Sequence, residues 1–92
     1  MATRKSIDDL IAKTNTYLAE AGEQLDITNR NGYPVDANYS EVQGKLDAME
    51  LEIAKLMDSA NAQQREQLHR LHLKTSQCLN DMILVHNDLS GE

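Results

Sequence analysis

An apolar seam in the last third of the chain constrains the fold most. Between Asn61 and Leu89, apolar or small side chains recur at steps of three and four residues, the spacing at which side chains share one face of a helix. This seam consists of Leu68, Leu71, Thr75, Cys78, Met82, Val85 and Leu89. The pattern predicts a helix over about residues 62–88 that needs other helices to cover its seam.

Two earlier segments show the same spacing and predict two more helices, over about residues 7–28 and 39–58. Each begins near a capping pattern, Ser6 with Asp9 and Asn38 with Glu41, in which a side-chain oxygen accepts from a free amide of the first turn. The predicted inner residues of helix 1 are Ile7, Ile11, Thr14, Leu18, Ala21 and Leu25, widened by Leu10 and Tyr17. Those of helix 2 are Val42, Leu46, Met49, Ile53, Leu56 and Ala60, preceded by Tyr39.

The breaks between these segments differ in strength. Gly32 follows Asn31 and precedes Pro34 by two residues, which predicts a loop over residues 29–37. Near Asp58 there is neither Gly nor Pro, but the seam of helix 2 predicts a core position at Ala60 whereas that of helix 3 predicts Asn61. Asn61 and Gln64 also form a third capping pattern, so we expect a tight turn there.

The fold class predicted from these segments is all-α, an antiparallel three-helix bundle forming a single helical domain over residues 1–92. The composition favours helix, with no Phe or Trp and one Pro. The alternative is a helical hairpin in which helices 2 and 3 are one rod of about 50 residues. That rod would have to dimerise to cover the part of its seam that helix 1 cannot reach.

Charge limits the classes of partner. A net charge of −6 repels phosphate backbones and anionic membrane surfaces, so neither nucleic acid nor a membrane is an expected partner. No apolar run approaches the roughly 18 residues that a membrane span needs. One cysteine cannot form an internal disulfide and no secretory signal is recognisable, from which we expect a cytoplasmic protein.

The candidate chemical groups point away from catalysis. Glu66 and His69 have the Glu-x-x-His spacing of di-iron bundles, but the seam phase places both on the outer face, so no metal and no cofactor are expected. His72 and His86 are too far apart along the helix to share a ligand. Cys78 lies on the seam and is expected to be a buried packing residue rather than a nucleophile.

Two further expectations concern helix packing. Arg65, Arg70 and Lys74 make the start of helix 3 basic, and we expect them to pair with acids of helix 2. Gly22 interrupts helix 1 and is expected to mark a close approach of two helices. The acids of helix 2 are Asp47, Glu50, Glu52 and Asp58.

Apolar residues off the seams suggest a partner surface. Leu51 on helix 2 and Leu73 and Leu84 on helix 3 are predicted to point outward. Leu73 and Leu84 are 11 residues apart and therefore lie nearly on one line of the helix. These three leucines are the candidate surface for an unidentified protein partner or for self-association.

Residues 1–6, 59–70 and 80–84 together resemble a YtzC-like family of short uncharacterised proteins from endospore-forming bacteria. The block Ser-Ala-Asn-Ala-Gln-Gln-Arg-Glu-Gln-Leu-His-Arg at 59–70 is the most specific part. The resemblance spans most of the chain and implies a cytoplasmic bacterial setting. It implies no catalytic residue.

A shorter stretch, residues 76–83, is similar to the Ser-Gln-x-Leu-Asp motif of small helical Spo0E-like aspartyl-phosphate phosphatases. Asn80 stands where that family has its functional acid, so the chain departs from the motif at the residue that the activity requires. The leading hypothesis is therefore a small non-enzymatic protein–protein interaction or regulatory protein. A phosphatase acting on a phosphorylated response regulator is the alternative.

Overall fold

The computed structural model describes the backbone of residues 3–31 and 37–90, and the side chains of residues 3–28 and 37–85. Three helices account for nearly all of it: α1 (Arg4–Asn31), α2 (Ala37–Ser59) and α3 (Ala62–Ser90). Each helix contacts both of the others. The protein is thus an all-α three-helix bundle, as predicted.

The helix bounds differ from the sequence expectation at their ends. Helix α1 begins at Arg4, and Thr3 is its cap: the Thr3 Oγ1 accepts from the Ser6 amide at 3.0 Å. The prediction that Ser6 is the cap is wrong, because Ser6 already lies in the first turn. Helix α2 begins at Ala37, so Asn38 also lies inside its helix. The segment 32–36, in the middle of the predicted loop, lies outside the described residues.

The turn between α2 and α3 is confirmed, and the single-rod alternative is wrong. Ala60 and Asn61 are outside both helices. The Asn61 Oδ1 accepts from the Gln64 amide at 2.8 Å, and the Gln64 Oε1 accepts from the Asn61 amide at 3.0 Å. This reciprocal pair is a capping box that satisfies two donors at the start of α3. The Arg65 Nε donates to the Met57 carbonyl at 3.2 Å and so helps to close the end of α2.

The interior is divided into two clusters along the bundle axis. The turn-end core joins the start of α1, the end of α2 and the start of α3, which shows that helices consecutive in the chain run antiparallel. Its buried residues are Ile7, Leu10, Met49, Ile53, Ala60, Leu68 and Leu71. The tyrosine-end core lies at the opposite end of the bundle. Its buried residues are Ala21, Tyr39, Val42, Leu46, Leu79 and Met82.

Tyr39 anchors the tyrosine-end core. Its side chain is fully buried, and its hydroxyl donates to the Met82 carbonyl at 2.7 Å. Burial raises the pKa of Tyr39 to about 12, with smaller contributions from Cys78 and Asp81. The hydrogen bond joins the first turn of α2 to the second half of α3, which fixes the relative position of these two helices.

Two details of the interior differ from the seam prediction. Leu79 is buried, whereas Cys78 is only partly buried. The predicted heptad phase placed Cys78 inside, but an α-helix has 3.6 residues per turn, so a seam counted at 3.5 drifts around the helix. The larger apolar side chain, Leu79, occupies the interior. Leu89 lies outside the residues whose side chains are described.

Gly22 does not mark a close helix approach. It is exposed, and a methyl group placed on its Cα would meet nothing within 4 Å. It follows the fully buried Ala21, and one residue turns the helix by 100°, which directs Gly22 to solvent. The prediction was wrong because sequence proximity to a buried residue does not place a residue on the same face.

Candidate functional site

The three leucines of the predicted partner surface are all exposed. Leu51 is 67% exposed, Leu73 55% and Leu84 53%. Leu73 and Leu84 lie on one line of α3, about 16 Å apart at the rise of an α-helix. Leu51 lies on α2, on the side facing away from the buried Leu46 and Ile53. Leu51 therefore lies on a different helix from Leu73 and Leu84.

Glu66 and His69 both lie on the exposed side of α3, where the seam phase predicted them. The Glu66 carboxylate pairs with Arg70, with an Oε1 to Nη2 distance of 2.6 Å. Among the residues whose side chains are described, no three His, Cys, Asp or Glu side chains gather into a group suited to a metal ion. The side chain of His86 lies outside the described residues.

A polar cluster that sequence reasoning missed joins α2 to α3. His72 Nδ1 lies 2.9 Å from Glu50 Oε1, and Ser76 donates to Glu50 Oε2 at 2.7 Å. Ser76 Oγ also lies 3.4 Å from His72 Nδ1. The signal in the sequence is weak, since His72 and Ser76 are four residues apart on the α3 edge facing α2, and Glu50 follows the buried Met49.

This cluster has the residue types of a hydrolase triad without its geometry. In a triad the imidazole lies between the hydroxyl and the carboxylate, so that it can remove the hydroxyl proton. Here the carboxylate of Glu50 accepts directly from the Ser76 hydroxyl, and His72 contacts the other oxygen. The arrangement links α2 to α3, and the single His72 Nδ1 faces both Glu50 and Ser76 instead of the ring lying between them.

Shallow cavities flank this cluster along the α2–α3 edge. One of about 300 Å³ is lined by Glu50, Ile53, Ala54, Met57 and His72. A more open groove of about 630 Å³ lies beyond it, toward the turn. Its lining residues are Met57, Asp58, Ala62, Arg65, Glu66 and His69. Both are open to solvent.

The predicted pairing of the basic start of α3 with the acids of α2 is largely wrong. Arg70 pairs with Glu66 of its own helix, and Arg65 donates to a backbone carbonyl. Lys74 has no ion pair among the described side chains. An acid of α2 does contact a basic side chain of α3 in the pair of Glu50 with His72. Arg65 therefore reaches the backbone of α2 rather than one of its acids, and Arg70 pairs along α3.

Cys78 is poorly suited to nucleophilic chemistry. Burial raises the pKa of its thiol, and the nearby Asp81 raises that pKa further. A raised pKa lowers the fraction of reactive thiolate at neutral pH. The position of Cys78 is partly buried rather than fully buried, but its environment agrees with the predicted packing role.

Comparison with known proteins confirms the family resemblance. Residues 1–84 match a family described as "Protein of unknown function (DUF2524)". The chain is also 38% identical over 86 residues to "Uncharacterized protein YtzC" of Bacillus subtilis strain 168, a match that covers 94% of this chain and 96% of that protein. No solved structure matches the chain. No described helix combines the length and apolar character needed to cross a bilayer.

Proposed function

The chain belongs to the DUF2524 family of proteins of unknown function, and we propose that it is a small non-enzymatic protein–protein interaction or regulatory protein. The observation that carries the proposal is the exposure of two leucines on the outer face of α3. Leu73 and Leu84 each expose more than half of their surface on one line of a helix whose opposite face is fully packed. Leucines placed in this way can be covered by a helix of another protein.

The contacts that hold α3 in the bundle support this proposal, because they fix the position of its outer face. Three helices pack on two cores, and α3 is also held by the hydrogen bond from Tyr39 and by the cluster of Glu50, His72 and Ser76. A surface on such a helix needs little ordering when it binds, so less of its contact energy is lost on association. We propose that the bundle acts as this scaffold.

We further propose that the protein is cytoplasmic and that its partner is another protein. The net charge of −6 disfavours nucleic acid and anionic membranes, which leaves other proteins as the favoured class. The thiol of Cys78, the single cysteine, is compatible with a reducing compartment.

The phosphatase alternative gains no specific support. The hydroxyl of Ser76 donates to Glu50, and Asn80, which replaces the functional acid of the similar motif, is an exposed amide. Neither the matched family nor the matched relative is described as a phosphatase. Incubation with a panel of phosphorylated response regulators tests this alternative, and release of phosphate above the spontaneous rate would revive it.

Three tagged full-length chains test the interaction proposal in the native cell: wild type, L73E/L84E and L51E. Quantitative mass spectrometry compares the proteins captured by each. We expect at least one protein to be enriched by the wild type and by L51E and lost with L73E/L84E, since only the double variant changes the α3 surface. An identical set of captured proteins for all three chains contradicts the proposal. Loss with L51E alone would move the surface to α2.

A further inference from the structure

The outer face of α3 carries a stripe of four exposed residues that lies opposite its buried face. We define this outer stripe as Leu73, Gln77, Asn80 and Leu84, all of them exposed. Steps of four, three and four residues keep them on one line of the helix. Ile83, which is 45% exposed, borders the stripe along one edge and adds apolar surface.

The outer stripe reads alike in both directions: leucine, side-chain amide, side-chain amide, leucine. If a second α3 lies antiparallel across it, Leu73 of each copy meets Leu84 of the other. Gln77 then faces Asn80 of the second copy, and each amide has both donors and an acceptor to offer. A two-fold symmetric interface requires this kind of self-complementary surface.

Charges along the other edge of the stripe distinguish antiparallel from parallel pairing. Lys74 and Asp81 are seven residues apart and lie on the same edge, and both are exposed. Neither forms an ion pair with another described side chain. In antiparallel pairing this edge of one helix lies beside the same edge of the other, which brings Lys74 of each copy to Asp81 of the other. In parallel pairing the edge faces the opposite edge, and the two charges do not meet.

We infer that the outer stripe is a self-association surface through which two copies of this chain pair antiparallel along α3. The inference rests on the proposed interaction function and names its partner as a second copy. The chemistry is two Leu73–Leu84 contacts, two amide pairs between Gln77 and Asn80, and two reciprocal ion pairs of Lys74 with Asp81. Six residues per copy make a small interface, so the dimer is weak and forms in a concentration-dependent way.

Charge reversal provides a sharp test by sedimentation equilibrium of the full chain across a wide concentration range at about 0.15 M salt. K74E places two acids together in each reciprocal contact, and D81K places two bases together. We expect each variant alone to dimerise about tenfold more weakly than the wild type. An equimolar mixture of K74E and D81K restores opposite charges at both contacts and is expected to dimerise at least as tightly as the wild type.

Matched variants exclude indirect effects. L73E/L84E is expected to remain monomeric at all concentrations, whereas L51E, the same change at an exposed leucine of α2, leaves the dimer unchanged. All substituted side chains are exposed, so circular dichroism should show the wild-type helix content for every variant. A mixture of K74E and D81K that dimerises no better than either alone overturns the antiparallel arrangement.

Failure of this inference is distinguishable from failure of the proposed function. A wild-type chain that is monomeric throughout, with capture of another protein that is lost in L73E/L84E, overturns self-association while the interaction function stands. A wild-type chain that is monomeric throughout, with capture that L73E/L84E leaves unchanged, overturns both.

Discussion

In the turn-end core every buried side chain is apolar, whereas in the tyrosine-end core a buried phenol, Tyr39, makes a hydrogen bond to the backbone of another helix. The two ends also differ in what fixes the neighbouring helices. At the turn end, Asn61 and Gln64 cap α3 through bonds between residues three apart. At the tyrosine end, the bond from Tyr39 to Met82 joins residues 43 apart in the chain.

This difference shows two ways of specifying how helices pack. Local hydrogen bonds at the turn limit the angle at which α3 leaves α2, and apolar packing then needs little further direction. At the far end of the same two helices, a buried phenol that must be satisfied selects one relative position of α2 and α3, because a misplaced phenol would be desolvated without a partner.

The largest expected effect comes from truncating one fully buried leucine in each core, Leu68→Ala at the turn end and Leu46→Ala at the tyrosine end. Each should lower the free energy of unfolding by about 2 to 5 kcal/mol, because burial is lost and a cavity remains. Urea denaturation measures both. The exposed Leu73→Ala is the control and should change stability by less than about 0.5 kcal/mol. A core variant as stable as the control would show that its cluster does not hold the bundle together.

Tyr39→Phe tests the hydrogen bond of the tyrosine end. Removing the hydroxyl should cost about 1 kcal/mol of unfolding free energy, because the donor to the Met82 carbonyl is lost. The pH dependence provides a second measurement. Because the pKa of Tyr39 is about 12 in the folded chain and lower when unfolded, its contribution is complete below the unfolded pKa.

That contribution is lost as the pH rises through the folded pKa of about 12. The wild type should therefore lose more stability than Tyr39→Phe between roughly pH 10 and pH 12. All other side chains are common to the two proteins, so their contributions cancel in the difference. Parallel stability curves for the two proteins over this range would refute a buried phenol.

Asn61→Ala tests the local device at the turn. The capping bond joins residues only three apart, so its removal should lower the free energy of unfolding by about 1 kcal/mol. The packing of the tyrosine-end core should not change. Asn61→Ser keeps an oxygen that can accept from the Gln64 amide and should recover most of the loss. Thermal unfolding followed by circular dichroism compares the three chains, and equal stability of Asn61→Ala and wild type would argue that the turn is fixed by packing alone.

Two fully buried threonines, Thr14 and Thr75, allow the stability cost of a buried hydroxyl without a hydrogen bond to be measured. The Thr75 hydroxyl donates to the Leu71 carbonyl at 2.8 Å, whereas the Thr14 hydroxyl oxygen has no hydrogen-bond partner among the described residues. Thr14→Val keeps the shape and removes the unsatisfied oxygen, so it should raise the unfolding free energy by about 1 kcal/mol. Thr75→Val removes the hydrogen bond to the Leu71 carbonyl, so its unfolding free energy should be raised less than that of Thr14→Val. Denaturant midpoints rank the two, and the reverse order would contradict this account.

The smallest expected effect concerns the glycines of α1 and α2, both in the half of the bundle that holds the tyrosine-end core. Nothing lies within 4 Å of a methyl group added at Gly22 or Gly44. Each change to Ala should raise the unfolding free energy by about 0.5 to 1 kcal/mol, since the unfolded chain loses conformational freedom. The reverse change at an exposed helical position, Ala48→Gly, is the control and should lower it by a similar amount.

The number of helices and most of their inner faces were readable from the sequence. The alternation of apolar and polar residues at helical spacing is a local property, which is why Leu46, Ile53, Leu68 and Met82 were all placed inside correctly. The same phase placed Glu66 and His69 outside. The capping box at Asn61 was also predictable, because its partners are three residues apart.

What sequence reasoning missed depends on how one helix is rotated against another. Glu50 meets His72 and Ser76 from 22 and 26 residues away, and Tyr39 finds Met82 only when α2 and α3 are in register. The spacing of residues within one helix does not predict such contacts between helices.

The sequence by itself determined that this chain forms amphipathic helices with a capped turn, since helix periodicity and capping depend on residues within a few positions of each other. Only the tertiary structure decided which flanking residue enters the core, as with Leu79 rather than Cys78, and which polar groups meet between helices. The physical reason is that close packing of three helices fixes their mutual rotation through the combined shape of all the contacting side chains, a quantity that no single segment contains.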